Sequence, residues 1–167
     1  NEAAEMLNMV EIYVDDTANV TVGEMKAKLR RMNGLGLVVI DYLQLMSTGR
    51  RDGNRVVEIS EITRNLKILA KELNVPVITL SQLSRGPEAR TDKRPMLSDL
   101  RESGSIEQDA DIVLFLYRDA YYNKSEENVD SCECIIAKNR HGETNTVNLR
   151  WEGAYTRFSD VEQRYGS

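Results

Sequence analysis

The sequence predicts an α/β fold with a mainly parallel sheet that is extended by antiparallel strands. Three observations carry this. Short apolar runs alternate with stretches in which apolar residues recur every three or four positions. The runs "LVVI" at 37–40 and "VPVITL" at 75–80 are rich in β-branched residues and too short for helices. After residue 130, strand-like segments follow one another with no helical stretch between them, as in a meander.

The elements follow in order. Glu11 to Val14 reads as a strand leading to Asp15 and Asp16. Thr21 with Glu24 three positions on forms a capping-box pattern, and Val22, Met25, Leu29 and Met32 follow at helical spacing. Asn33-Gly34 stops that helix. Leu37 to Ile40 is a buried strand that ends on Asp41, and "STGRRDGN" is a polar loop. Ile59, Ile62, Leu66, Leu69 and Leu73 form one stripe of an amphipathic helix, which Asn74 and Pro76 end. Val75 to Gln82 is a second buried strand, and a long loop then leads to a helical stretch at Ser98 to Ala110. "DIVLFLY" is a third buried strand. After a polar excursion, strands are expected at Glu133 to Lys138, Thr146 to Trp151 and Tyr155 to Phe158.

The 167 residues suffice for one domain, spanning 1–167, with one core and no linker or internal repeat. No apolar run approaches the ~20 residues that span a bilayer. Nothing at the start resembles a signal peptide, so a cytoplasmic protein is expected. The first residues read as entry into the middle of a fold. A net charge of −5 argues against a surface that binds nucleic acid all over, but leaves room for a local basic site. Cys132 and Cys134 share a strand face, which is poor disulfide geometry. With His141 they fall short of a zinc site, so reduced thiols are expected.

In open parallel sheets ligands bind beyond the carboxyl ends of the strands. Asp41 stands at one such end and Gln82, followed by Arg85, at another; Lys138 and Arg140 end a third strand. An acid, an amide and two cations suit a polyphosphate with a divalent ion. Each also has an ordinary reading: Asp41 as the start of a turn, Gln82 as a solvated side chain, Lys138 and Arg140 as an edge-protecting pair. A phosphate cradle of the Gly-x-x-x-x-Gly-Lys-Ser/Thr kind is absent, since none of the ten glycines precedes a lysine. Two loops carry local positive charge: Arg50, Arg51 and Arg55 against Asp52, and Arg85, Arg90, Lys93 and Arg94 against Glu88 and Asp92. Such loops either track a phosphodiester backbone or are plain solvated loops. In "RESGSIEQDAD", Gly104 relaxes the backbone, and residues 101–105 can present consecutive N–H groups to an anion.

Four stretches stand in a telling order: "VVIDYLQLM", "VITLSQLSR", "DLRESGSIEQDADIVLFLYRD" and "IIAKNRHGETNTV". With the earlier "YVDDTANVTVGEMKAKLRR" they resemble the carboxyl-terminal, RecA-like motor domain of DnaB-type replicative DNA helicases. The resemblance implies a RecA-like P-loop NTPase core, truncated at its N-terminal side. The family's Walker A loop and catalytic glutamate would precede Asn1, and the isolated chain would then be inactive. It implies a homo-hexameric ring that hydrolyses ATP with Mg²⁺ and moves 5′ to 3′ on single-stranded DNA at the replication fork. Asp41 would be the Walker B acid that organises Mg²⁺ through water, and Gln82 the sensor of the γ-phosphate. Lys138 and Arg140 would reach the neighbouring subunit's ATP, with Arg140 as the arginine finger. Arg101, Glu102 and Gly104 would grip DNA in the channel, beside the loop at Arg50, Arg51 and Arg55. Primase and a helicase loader would be partners of a bacterial, nucleoid-associated protein, with no membrane. A RecA-like recombinase or a phage primase-helicase would share the logic of Asp41 and Gln82. A module that only binds DNA or oligomerises, without ATPase activity, is the alternative from another class.

Overall fold

The computed structural model describes residues 9–49, 54–100, 104–123 and 130–161. The first helix, α1 (Val22–Leu29), begins at the expected capping box. Thr21 Oγ1 accepts from the Glu24 N–H at 3.2 Å, and Glu24 Oε2 accepts from the Thr21 N–H at 2.8 Å. Gly34, at φ +70°, sits in the left-handed turn that follows. Strand β1 (Val38–Ile40) pairs in parallel with β2 (Val77–Thr79), with Val38 opposite Val77 and Ile40 opposite Thr79. Between them lies α2 (Arg55–Leu73). Its N-cap, Asn54, accepts from the N–H groups of Val56 and Val57, and Asn74 closes it at φ 52°.

The α2 stripe is the backbone of the core. Ile59, Ile62, Leu66 and Leu69 are buried with Val22, Val38, Ile40, Leu43 and Met46. Each fully buried aliphatic side chain contributes about 1.5–3 kcal/mol. A second, smaller cluster gathers Leu100, Val113 and Phe115, and Ile106 packs against both clusters. Ile106 belongs to the short helix α4 (Gly104–Asp109), which follows the one-turn helix α3 (Gly86–Ala89). The expected helical stretch at 98–110 is therefore two pieces, a 3-10 turn at Leu97–Asp99 and α4, and residues 101–103 lie outside the described residues.

The rest of the chain is a four-stranded antiparallel sheet in the order β3–β4–β5–β6. Its strands are β3 (Ile112–Arg118), β4 (Ser131–Asn139), β5 (Asn145–Glu152) and β6 (Arg157–Asp160), and the one-turn α5 (Asp119–Tyr122) follows β3. The α/β reading with parallel and antiparallel pairing stands. The balance differs from the expectation: among the described residues one strand pairing is parallel and three are antiparallel.

Two further expectations are corrected. Glu11 to Val14 forms no strand, and Ile12 and Val14 are 63% and 88% exposed. A strand needs a neighbour for its N–H and C=O groups, and among the described residues none pairs with this segment. It is tethered by polar contacts instead: Lys28 Nζ donates to Asp15 at 2.6 Å. The three apolar runs read as buried strands are also buried on one face only. Val39, Ile78, Leu114 and Leu116 are each more than half exposed, so one face of each strand is bare among the described residues.

Candidate functional site

The parallel register sets the site. Ile40 lies opposite Thr79, and the pairing continues past both strands: the Leu80 N–H donates to Ile40 O at 2.9 Å and the Leu43 N–H to Leu80 O at 2.8 Å. Asp41 is thereby held beside the backbone that leads into Ser81 and Gln82. Leu43, 1% exposed, anchors this turn in the core. The peptide between Asp41 and Tyr42 is cis. Asp41 itself is exposed and makes no hydrogen bond or ion pair with the described residues.

Gln44 joins the two strand ends. Its Nε2 donates to Ser81 Oγ at 3.1 Å, and its Oε1 accepts from the Gln82 N–H at 3.2 Å. The Gln82 main chain is thus fixed while its side chain stays exposed. Sequence reading passed over Gln44, although an amide three residues past a strand-end acid was visible. Its partners are 37 and 38 positions away, so no local signal points to them. Beyond Gln82 lies an open groove of about 400 Å³ whose lining includes Arg85, Lys93, Tyr117, Arg118 and Tyr121.

Arg55 is part of the scaffold. As the first residue of α2 it donates to Gln44 O at 2.7 Å and pairs with Glu58. The Thr48 N–H, donating to Glu58, is the main cause that keeps the Glu58 carboxyl below its ordinary range, and Arg55 adds to it. The loop after β1 is therefore pinned to α2 at Gln44 and Met46 by Arg55 and at Thr48 by Glu58, and the Arg55 guanidinium is engaged internally. Arg50 and Arg51 lie outside the described residues, as do Arg101 and Glu102. Gly104 opens α4 and is exposed, with open space where a Cβ would stand.

The second basic loop is a folded platform. Both nitrogens of the Arg90 fork reach the Asp99 carboxylate at 2.7 Å, and Asp99 is only 3% exposed. Arg90 holds that carboxyl below its ordinary range, helped by the Met96 N–H. Gly86 permits the close approach: a Cβ there would lie 2.6 Å from Asp99 Oδ1. Arg94 makes a second bidentate pair, with Glu133, at 2.8 and 2.6 Å, and Lys93 donates to Glu88 O at 2.7 Å. Of the loop's four cations, Arg85 alone has no such partner among the described residues.

Lys138 and Arg140 do not join Asp41 and Gln82. Lys138 lies opposite Val113, and its ammonium donates to Glu107 O and, at 2.8 Å, to Ala110 O, the carbonyls at the end of α4. Arg140 donates its N–H to Asp111 O at 2.8 Å, and its guanidinium lies 3.4 Å from the Asp111 carboxylate, which also pairs with Lys67. Lys67 is the main cause that lowers the Asp111 carboxyl. The four residues expected at adjoining strand ends thus form two separate groups. Cys132 and Cys134 are free thiols, and among the described residues no three His, Cys, Asp or Glu side chains cluster as metal ligands.

The α/β core fits the RecA-like class, with Asp41 and Gln82 beyond the carboxyl ends of two adjacent parallel strands. Comparison with known proteins narrows the class. The family model described as DnaB-like helicase C terminal domain matches residues 1–160. The chain is 57% identical over 163 residues to the replicative DNA helicase DnaB of Geobacillus stearothermophilus, covering 95% of this chain and 36% of that protein. It is 58% identical over 158 residues to the replicative DNA helicase DnaC of Bacillus subtilis (strain 168), covering 92% of this chain and 35% of that protein. Among solved structures, a DnaB-like replicative helicase, described with its interactions with primase, matches at a TM-score of 0.88 and 46% identity. That match covers 96% of this chain and 41% of the helicase. A second solved structure, described as an ATPase domain, matches with the same score and identity over 96% of this chain and 58% of its own. The chain belongs to the DnaB-like helicase C-terminal domain family. It spans about a third of the length of these two curated relatives.

No helix among the described residues is long and apolar enough to cross a membrane.

Proposed function

We propose that this chain is part of the motor of a replicative DNA helicase that hydrolyses ATP and moves 5′ to 3′ on single-stranded DNA as a homo-hexameric ring. The observation that carries this reading is the β1–β2 register, which sets Asp41 beside the segment ending in Gln82. Mg·ATP, when bound, supplies the phosphoryl group whose transfer drives the motor. Asp41 fits a role toward Mg²⁺: it is one exposed carboxylate without a protein partner among the described residues, and so suits an ion that keeps its waters. Gln82 presents a neutral amide to the terminal phosphate or the attacking water, on a backbone that Gln44 holds. The 167 residues contain no Gly-Lys phosphate cradle.

Lys138 and Arg140 act on the neighbouring subunit's nucleotide. Their own contacts lie at the end of α4 and at Asp111, not at Asp41 or Gln82, which supports action across an interface rather than within one chain. Arg101, Glu102 and Gly104 belong to the loop that grips the DNA backbone, with Arg50 and Arg51 beside it, while Arg55 serves the scaffold. Primase and a helicase loader are the expected protein partners. The test is Asp41→Asn and Gln82→Ala in the full-length protein, followed by ATPase and strand-displacement assays. Both activities should be lost while folding is kept. Wild-type turnover by both variants would refute the assignment.

A further inference from the structure

The geometry points to Lys138 as a positioning residue with two mutually exclusive partners, one of them the helix that begins at Gly104. This rests on the reading, above, that Lys138 reaches a neighbour's nucleotide. A short helix such as α4 ends in carbonyls that lack intrahelical partners. Here the Lys138 ammonium fills that role, donating to Glu107 O and Ala110 O, with Gln108 O at 3.5 Å. An ammonium has three N–H bonds. Placed in this cage, Lys138 has none left for a phosphate. A positive charge at a helix carboxyl end also complements the helix dipole.

The other end of α4 opens at Gly104, within the segment proposed to hold DNA. Its flank is tied to α2, since Ser60 Oγ donates to Ser105 Oγ at 2.9 Å and Thr63 Oγ1 to Asp109 at 2.7 Å. When Lys138 turns to a neighbour's phosphate, α4 keeps these side contacts and the Arg140 contact to Gln108 O at 3.4 Å, but loses the ammonium at its carboxyl end. Nucleotide in one subunit thereby loosens the DNA-side helix of the next. One ammonium carries the signal, with no change of fold.

Hydrogen exchange on the full-length protein tests this, read at the amides of Gln108, Asp109 and Ala110. A charge-assisted cap is strong enough to change their exchange at least about tenfold when it is removed. Lys138→Gln should raise exchange by that factor without nucleotide. Wild type should show the same rise only on adding a non-hydrolysable Mg·ATP analogue, and Lys138→Gln should show no further rise. Lys138→Arg should restore protection. Unchanged exchange in Lys138→Gln, with ATPase reduced, overturns the cap. A wild-type helix that ignores the analogue overturns the exchange of partners, and this measurement needs no variant. Full ATPase in Lys138→Gln instead overturns the underlying reading that Lys138 serves the neighbour's site.

Discussion

Replacing Gln44 by Ala removes the bridge between the two strand ends without touching Asp41 or Gln82. Three neutral hydrogen bonds are lost, from Nε2 to Ser81 Oγ at 3.1 Å and to Gln82 O at 3.4 Å, and from the Gln82 N–H to Oε1 at 3.2 Å. A neutral hydrogen bond is worth about 0.5–1.5 kcal/mol net. Gln44 is half-buried and Gln82 is exposed, so water can satisfy much of what is left, and the total should be about 1 kcal/mol. A urea titration should therefore show a small drop in midpoint with an unchanged slope. The larger effect should fall on catalysis, because the freed Gln82 backbone no longer fixes where its amide points. In the full-length protein, kcat for ATP should fall by about tenfold or more, with a smaller change in KM. Wild-type kcat in Gln44→Ala, together with the expected stability loss, would refute the positioning role.

Mixed rings of Asp41→Asn and Arg140→Ala subunits should regain measurable ATPase, since some interfaces then pair a normal Asp41 with a neighbour's normal Arg140; no recovery after mass spectrometry shows subunit exchange would count against the trans role. Asp99→Ala should destabilise the protein by about 1.5–3 kcal/mol in a chemical melt, because the Arg90 fork loses its buried carboxylate. The wild-type Asp99 carboxyl is lowered in the fold, so its contribution is complete above the unfolded value near 4 and is lost as pH falls through the folded value. Stability curves of wild type and Asp99→Ala should therefore converge in acid. Ile62→Ala, at a site 1% exposed in the centre of α2, should cost about 2–5 kcal/mol in the same melt.

Much of the scaffold was legible from sequence because its causes are local. The Thr21–Glu24 box spans one helical turn and forms as written. The stripe from Ile59 to Leu73 follows from 3.6-residue periodicity, and Asn74 takes the left-handed turn that ends it. The strand-end placement of Asp41 and Gln82 was legible because short apolar runs mark the strands, and the quoted motifs are linear strings that resemble one family. Tertiary structure alone decided what depends on a distant partner. Glu11 to Val14 has the composition of a strand yet is none, since a strand exists only through its neighbour. Arg55 in one loop, and Arg90 and Arg94 in another, look in sequence like local positive charge that either tracks a phosphodiester backbone or is merely solvated. The fold commits each to a carboxylate, the last of them 39 positions away at Glu133. Lys138 and Arg140 looked like companions of Asp41, but β4 runs antiparallel to β3 and delivers them to the end of α4 and to Asp111. Periodicity and capping are written in neighbouring residues; the destination of a long cationic side chain is set by which strands pair and in which direction.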